Sequence, residues 1–143
     1  VDYFGIRTGL SRVMPIKVFN DTAYSIVAET DHDNTLSFFS EKTAKPLIAR
    51  RLFVAFTGYK FLHNLRALGF QTFDGIIDET YDTVEDPALR WQLAMEQVRS
   101  LCARPQSEVL EQIVDRVEHN YNLMMSKDWH LIDNTKVSPA SIA

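Results

Sequence analysis

Two carboxylates near the start of the chain have the type and the spacing to hold the ribose of a nucleotide. Glu29 ends a stretch that is typical of a β-strand, and Glu41 stands in the first turn of a predicted helix. A carboxylate at such a position can accept hydrogen bonds from both hydroxyls of a ribose, as acidic residues do in dinucleotide-binding folds. The alternative is that Glu29 is a solvated residue at a loop end and that Glu41 only complements the helix dipole.

Two lysines beside Glu41 could bind the phosphates of the same nucleotide. Lys42 and Lys45 lie in the first turns of the predicted helix, where backbone N–H groups have no partner inside the helix. A pyrophosphate could accept hydrogen bonds from these N–H groups and from one lysine ammonium group. The alternative is that both lysines are solvated on the helix surface, as most lysines are.

These side chains are positioned by a predicted unit of strand, helix and strand. The first strand covers residues 23–29, and Ser40 is a favoured N-cap for a helix that runs to about Ala49. The apolar run Leu52–Phe56 predicts a fully buried strand, closed by Gly58. Because ligands of open α/β sheets bind beyond the carboxyl ends of the strands, we expect the polar side chains to line a crevice there.

Shorter elements surround this unit. Residues 59–68 have an apolar helical face and end at Gly69, a typical helix terminator. Residues 16–19 are short and apolar, and residues 70–73 resemble a short strand, so two further strands are predicted.

Two long helices are predicted toward the C-terminus. Asp86 and Pro87 begin the first, which extends to about Cys102, and Pro105 and Ser107 begin the second. The first helix has an apolar stripe of Trp91, Met95, Val98 and Cys102. Together the elements predict an α/β fold, namely a small three-layer Rossmann-like domain with a mainly parallel sheet and two long C-terminal helices. It covers residues 1–126 and is followed by an irregular tail over 127–143.

The composition limits the class of protein. The chain has 143 residues, a net charge of -4 and one cysteine, Cys102. This length suits one domain, the charge argues against nucleic acid as a partner, and no intramolecular disulfide is possible. Since no apolar segment approaches the length of a membrane span, we predict a cytoplasmic protein.

Other kinds of site have weaker support. Asp78, Glu79 and Asp82 could hold a divalent cation, although an acidic surface loop is the commoner meaning of such a stretch. No two histidines have the spacing of metal ligands, so no zinc site is predicted. The chain lacks the glycine-rich phosphate-binding loops and the G-x-S-x-G motif of serine hydrolases.

Two segments resemble a known family. The sequence I-V-A-E-T at 26–30, followed by F-F-S-E-K-T-A-K-P-L-I-A-R-R-L-F-V-A-F-T-G at 38–58, resembles the C-terminal, donor-binding domain of GT-B glycosyltransferases. It is most similar to α1,3-fucosyltransferases and to uncharacterised glycosyltransferase-like proteins of viral and environmental genomes. Thr30 stands where that family has asparagine, Phe38 where it has tyrosine, and Ser40 where it has threonine. The positions that carry the resemblance are Glu29, Thr30, Phe38, Ser40, Glu41, Lys42 and Gly58.

The resemblance implies a nucleotide-sugar donor, with GDP-sugars favoured, and no further cofactor or metal. In that family the glutamate of the E-K pair holds the ribose and the lysine contacts the phosphates, which implies these roles for Glu41 and Lys42. It also implies inverting transfer, with the diphosphate leaving against Lys42, Lys45 and the helix N–H groups. The acceptor-binding lobe, which supplies the catalytic base, has no counterpart in this chain. We therefore expect a fragment or reduced homologue that transfers nothing alone. The alternative is a non-catalytic α/β interaction module that forms a homodimer.

Overall fold

A parallel pair of β-strands with a helix between them forms the centre of the structure. The computed structural model describes residues 2–3, 6–7, 9–30 and 39–126. The strands are β1 Asp2–Tyr3, β2 Ile6–Arg7, β3 Tyr24–Ala28 and β4 Leu52–Phe56. The α-helices are α1 Ile16–Asn20, α2 Glu41–Ile48, α3 Phe61–Ala67, α4 Pro87–Ala103 and α5 Gln106–Ser126. Two 3₁₀ helices cover Leu10–Arg12 and Glu79–Thr83.

The sheet confirms the predicted α/β class in its coarse form. β3 and β4 are parallel, with Tyr24 beside Leu52 and Ala28 beside Phe56, and α2 is the crossover between them. β1 and β2 form a separate antiparallel pair. Within the described residues the parallel sheet has two strands, so it is smaller than predicted. The predicted tail over 127–143 lies outside the described residues.

The two further predicted strands are wrong. Residues 16–19 belong to α1, and residues 70–73 form no strand. The backbone of the second segment has side chains as partners in place of a neighbouring strand. The Gln71 N–H donates to Asn120 Oδ1 and the Phe73 N–H to Glu79 Oε1. A short segment of this kind does not determine whether a strand or a side chain satisfies its backbone.

The core surrounds β4. Every residue of β4 except Phe56 is buried, as the uninterrupted apolar run predicts. α4 packs against β4, and α2 packs against β3 and α5. The predicted apolar face of α3 is confirmed, since Phe61, Leu62 and Leu65 are buried. Gly69 follows this helix with a positive φ of 98°, the conformation expected of a glycine terminator.

The long helices have the predicted positions, but most of the predicted stripe of α4 is exposed, and of its four residues Val98 packs against the core. Trp91 is 40% exposed and Met95 37% exposed. The buried residues of α4 are Arg90, Ala94 and Leu101. Arg90 faces inward because its guanidinium donates to backbone carbonyls on the loops around it, which satisfies a buried charge and buried acceptors together. None of the described helices combines the length and the apolar character that crossing a membrane requires.

Candidate functional site

The start of α2 has the structure that the sequence predicts. Ser40 is the N-cap, with extended backbone angles, and its Oγ accepts a hydrogen bond from the Lys42 N–H at 3.1 Å. Glu41 is the first residue of α2, and Ala49 is the C-cap. The predicted helix bounds are thus confirmed. This start lies beyond the carboxyl end of β3, because the side chain of the residue after β3, Glu29, contacts Ser40.

Glu29 is buried, with 6% of its surface exposed. Its Oε1 accepts hydrogen bonds from the Ser40 N–H at 3.0 Å and from the Thr43 hydroxyl at 2.5 Å. Its Oε2 accepts one from the Ser40 hydroxyl at 2.6 Å. The alternative of a solvated Glu29 is therefore wrong. The carboxylate joins the end of β3 to the start of α2, and it accepts donors from the chain itself.

Lys42 has an exposed side chain that returns to the end of β3. Its Nζ donates to Thr30 Oγ1 at 2.8 Å, and Thr30 is also exposed. An ammonium group has three N–H donors, and Thr30 accepts one of them. The contact holds a positive charge immediately beyond the carboxyl end of β3, which is the side of an α/β sheet where ligands bind.

Four backbone N–H groups at this helix start, those of Ser40, Lys42, Thr43 and Ala44, have partners within the chain. Glu29 accepts from Ser40, the Ser40 hydroxyl accepts from Lys42, and the Ser40 carbonyl accepts from Thr43 and Ala44. We therefore expect an anion at this helix start to contact lysine side chains rather than these backbone N–H groups. The Ser40 hydroxyl and the buried Glu29 carboxylate thus use two of the donors that are expected to attract an anion.

The loop after β4 lies beside this helix start. The ring centroids of Phe39, before α2, and Phe61, at the start of α3, are 4.9 Å apart. Gly58 is buried in this loop. The left-handed residue of the turn is Lys60, with φ of 59°. The described structure thus brings the two βα loops into contact through an aromatic pair.

A second buried carboxylate caps the start of α3. Asp82 accepts hydrogen bonds from the Leu62 and His63 N–H groups, each at 2.9 Å. Burial raises the pKa of Asp82, against the opposing effect of those two hydrogen bonds. Sequence reasoning missed this role, because Asp82 lies 20 residues after the N–H group of Leu62 that it caps and no local pattern indicates the pairing.

Glu79 also has a structural role. Its carboxylate accepts from the Phe73 N–H at 2.7 Å, the Thr72 hydroxyl at 2.7 Å and the Arg66 guanidinium at 2.8 Å. Burial raises its pKa, although these donors oppose the shift. Asp78 instead caps the 3₁₀ helix through the Thr80 N–H. In the described part of the chain no group of three or more acidic, histidine or cysteine side chains is arranged to hold a metal ion.

The remaining predicted binding residues are Glu41, Lys45 and Phe38. Glu41 is half-buried beside Lys42, and Lys45 is half-buried farther along α2, where it already has an interaction partner. Phe38 lies outside the described residues. The structure therefore brings together Glu29 with Ser40, and Thr30 with Lys42.

Comparisons with known proteins do not assign the chain to a family. No family model, no curated protein and no solved structure matches it. The glycosyltransferase resemblance consequently stays a prediction.

Proposed function

We propose that this chain is the donor-binding lobe of a GT-B glycosyltransferase that uses a nucleotide sugar, with a GDP-sugar favoured. In this proposal the lobe is three-layered and Rossmann-like. The observation that supports it most is the contact between Lys42 Nζ and Thr30 Oγ1 at 2.8 Å. It holds an exposed ammonium group where α/β sheets bind their ligands.

The proposed roles are those that the family resemblance implies, and the exposure of Lys42 supports its part in them. Lys42 contacts the diphosphate and stabilises the negative charge that develops on it as the sugar is transferred. Glu41 accepts hydrogen bonds from the ribose hydroxyls, and Lys45 adds positive charge on the same helix. The proposed binding residues also include Phe38, the aromatic residue before the helix, and Gly58, the glycine that follows β4. The chain alone has no assigned catalytic base, so we expect binding without transfer.

Isothermal titration calorimetry with GDP and with UDP, up to millimolar concentrations, tests the proposal. We expect one of them to bind and Lys42→Ala to weaken binding by about tenfold, the effect of one charge-assisted hydrogen bond. Lys17→Ala is the matched control, because Lys17 is an exposed lysine paired with Asp21 on α1. Failure of both nucleotides to bind, or equal effects of the two lysine variants, would overturn the proposal.

A second candidate function is the interaction module that associates with a second copy. It is favoured by the exposure of large apolar side chains on one helix, since Leu89, Trp91 and Met95 of α4 all remain exposed. Exposed apolar patches mark protein interfaces in many proteins. Light scattering over a range of concentrations separates the candidates. A stable dimer that Trp91→Ser dissociates, and whose contact covers Glu41, would favour the interaction module.

A further inference from the structure

We infer that Glu29 is a positioning residue for Lys42 and does not itself contact the nucleotide. This inference rests on the proposed function and makes it more specific. The family resemblance places Glu29 among the nucleotide-binding positions, but its surroundings in the structure point to a different role. Ribose recognition then depends on Glu41, which is half-buried at the start of α2.

The surroundings of the Glu29 carboxylate leave little access for a ligand. Only 6% of the residue is exposed, and both oxygens accept hydrogen bonds from the chain, two at Oε1 and one at Oε2. A carboxylate that holds a ribose must present accepting oxygens to the crevice. Glu29 instead presents them to Ser40 and Thr43, where a negative charge also complements the start of a helix.

A chain of hydrogen bonds connects Glu29 to the backbone of Lys42. The carboxylate accepts from both the N–H and the hydroxyl of Ser40, which fixes the Ser40 side chain. The fixed Ser40 hydroxyl in turn accepts from the Lys42 N–H at 3.1 Å. The orientation of Ser40, and with it the first turn of α2, therefore depends on the carboxylate.

The residue after Glu29 holds the other end of Lys42. Thr30 accepts from Lys42 Nζ at 2.8 Å. Two consecutive residues at the end of β3 thus fix both the backbone nitrogen and the ammonium group of this lysine, Glu29 through Ser40 and Thr30 directly. Such a fixed ammonium group loses less side-chain entropy when it binds a phosphate.

The first experiment measures whether Glu29 acts through Lys42. Calorimetry compares GDP and UDP with guanosine and uridine for Glu29→Gln, Lys42→Ala and the double variant. We expect each single variant to weaken diphosphate binding by about tenfold, with little effect on the nucleosides. We expect the double variant to bind no more weakly than Lys42→Ala, because both substitutions remove the same contact. Asp21→Asn, at an exposed carboxylate that follows α1, is the matched control.

The second experiment separates positioning from ribose contact. The ratio of affinities for GDP and 2′,3′-dideoxy-GDP, and for the corresponding uridine diphosphates, measures how strongly the ribose hydroxyls are recognised. We expect Glu29→Gln to preserve this ratio and Glu41→Gln to reduce it toward one. Hydrogen exchange of the amides at 40–44 should become faster in Glu29→Gln and stay unchanged in Lys42→Ala. Thr43→Val removes one of the three hydrogen-bond donors to Glu29. We expect it to change the same affinities and exchange rates in the same direction, by smaller amounts.

The outcomes distinguish this inference from the proposed function. If the unaltered chain binds neither GDP nor UDP, both are overturned. If the chain binds a diphosphate that Lys42→Ala weakens, while Glu29→Gln changes neither affinity nor exchange, only the positioning role is overturned. A fall of this affinity ratio toward one in Glu29→Gln would also overturn the positioning role. It would indicate that Glu29 contacts the ribose.

Discussion

The hydroxyl of Tyr81 accepts a hydrogen bond from the backbone N–H of Ala55 at 3.2 Å. Ala55 lies in β4, which has β3 as its strand neighbour, so a side chain satisfies a strand donor here in place of another strand. Both groups are buried, and burial raises the pKa of the Tyr81 hydroxyl. A protonated hydroxyl thus satisfies a backbone donor of β4 that does not bond to β3.

Removal of this hydroxyl should destabilise the fold without changing its packing. Tyr81→Phe keeps the ring but leaves the buried Ala55 N–H without an acceptor, which costs about 1–3 kcal/mol of unfolding free energy. Urea unfolding followed by circular dichroism measures the change. Tyr121→Phe is the matched control, since the Tyr121 ring contacts Arg50 through its face and keeps that contact. Equal stabilities of the two variants would contradict the role of the hydroxyl.

The two buried carboxylates should make stability depend on pH in an unusual direction. Burial raises the pKa values of Glu79 and Asp82 above their ordinary values of 4.5 and 3.8. A carboxyl whose pKa is higher in the folded state binds protons more tightly there than in the unfolded chain. Its contribution is therefore fully present below the ordinary pKa and is lost as the pH rises through the raised one.

Urea unfolding at a series of pH values between 4.5, the ordinary value of glutamate, and neutral measures this effect. We expect the contribution of these groups to the unfolding free energy to fall as the pH rises, and the fall to be smaller in Glu79→Gln. The groups that interact with the Glu79 carboxyl are Arg66, Thr72, Phe73 and Asp74. A pH profile that Glu79→Gln leaves unchanged would show that Glu79 has the same pKa in both states.

The sequence predicts the β3–α2–β4 unit well because its signals are local. Ser40 is a capping residue next to the helix that it caps, and Leu52–Phe56 is a continuous apolar run that is buried as a whole. The surroundings of Glu29 could not be predicted in this way. Its partners lie 11 and 14 residues away, and only the pairing of the strands brings them together.

The same limit explains the error on α4. A helical stripe of Trp91 and Met95 is more apolar than one that contains Arg90, so periodicity favours the wrong face. The backbone carbonyls that accept hydrogen bonds from the buried guanidinium include that of Thr57, 33 residues earlier in the chain. No pattern within the helix indicates that these acceptors are nearby. Burial of a charge depends on such distant partners, and a sequence pattern does not contain them.

Arg90 should be among the most important side chains for stability. Its Nε donates to the Thr57 carbonyl at 3.0 Å, and its Nη1 donates to the carbonyls of Val84 and Glu85. Arg90→Met keeps much of the side-chain volume but removes these donors. We expect a loss of about 3 kcal/mol of unfolding free energy, since the buried Thr57 carbonyl and the part-buried Val84 carbonyl lose their donor, and each buried acceptor left unpaired costs about 1–3 kcal/mol.

The matched control for Arg90 is an exposed arginine on the same helix. Arg99→Met makes the same chemical change at an exposed position of α4, where a substitution shifts stability by about 0.5 kcal/mol or less. Chemical unfolding of both variants measures the difference. Similar losses in both would mean that the charge of α4, and not the bonds to the carbonyls, stabilises the fold.

Asn120 replaces a strand partner for the segment at 70–73. Its side chain accepts from the Gln71 N–H and donates to the Gln71 carbonyl, each at 2.8 Å, which is the pair of bonds that a neighbouring strand would make. Asn120 is buried, with 1% exposed. Asn120→Asp keeps the acceptor but replaces the donor with a second oxygen that faces the Gln71 carbonyl.

We expect Asn120→Asp to lower the unfolding free energy by about 2–4 kcal/mol at neutral pH, because a charge is buried and one hydrogen bond is lost. The loss should shrink as the pH falls, since a protonated carboxyl can donate to the Gln71 carbonyl again. Chemical unfolding at neutral and at acidic pH measures both effects, with Asn122→Asp, an exposed asparagine on the same helix, as the control. A loss that is equal at the two pH values would show that the side-chain amide does not act as a donor to Gln71.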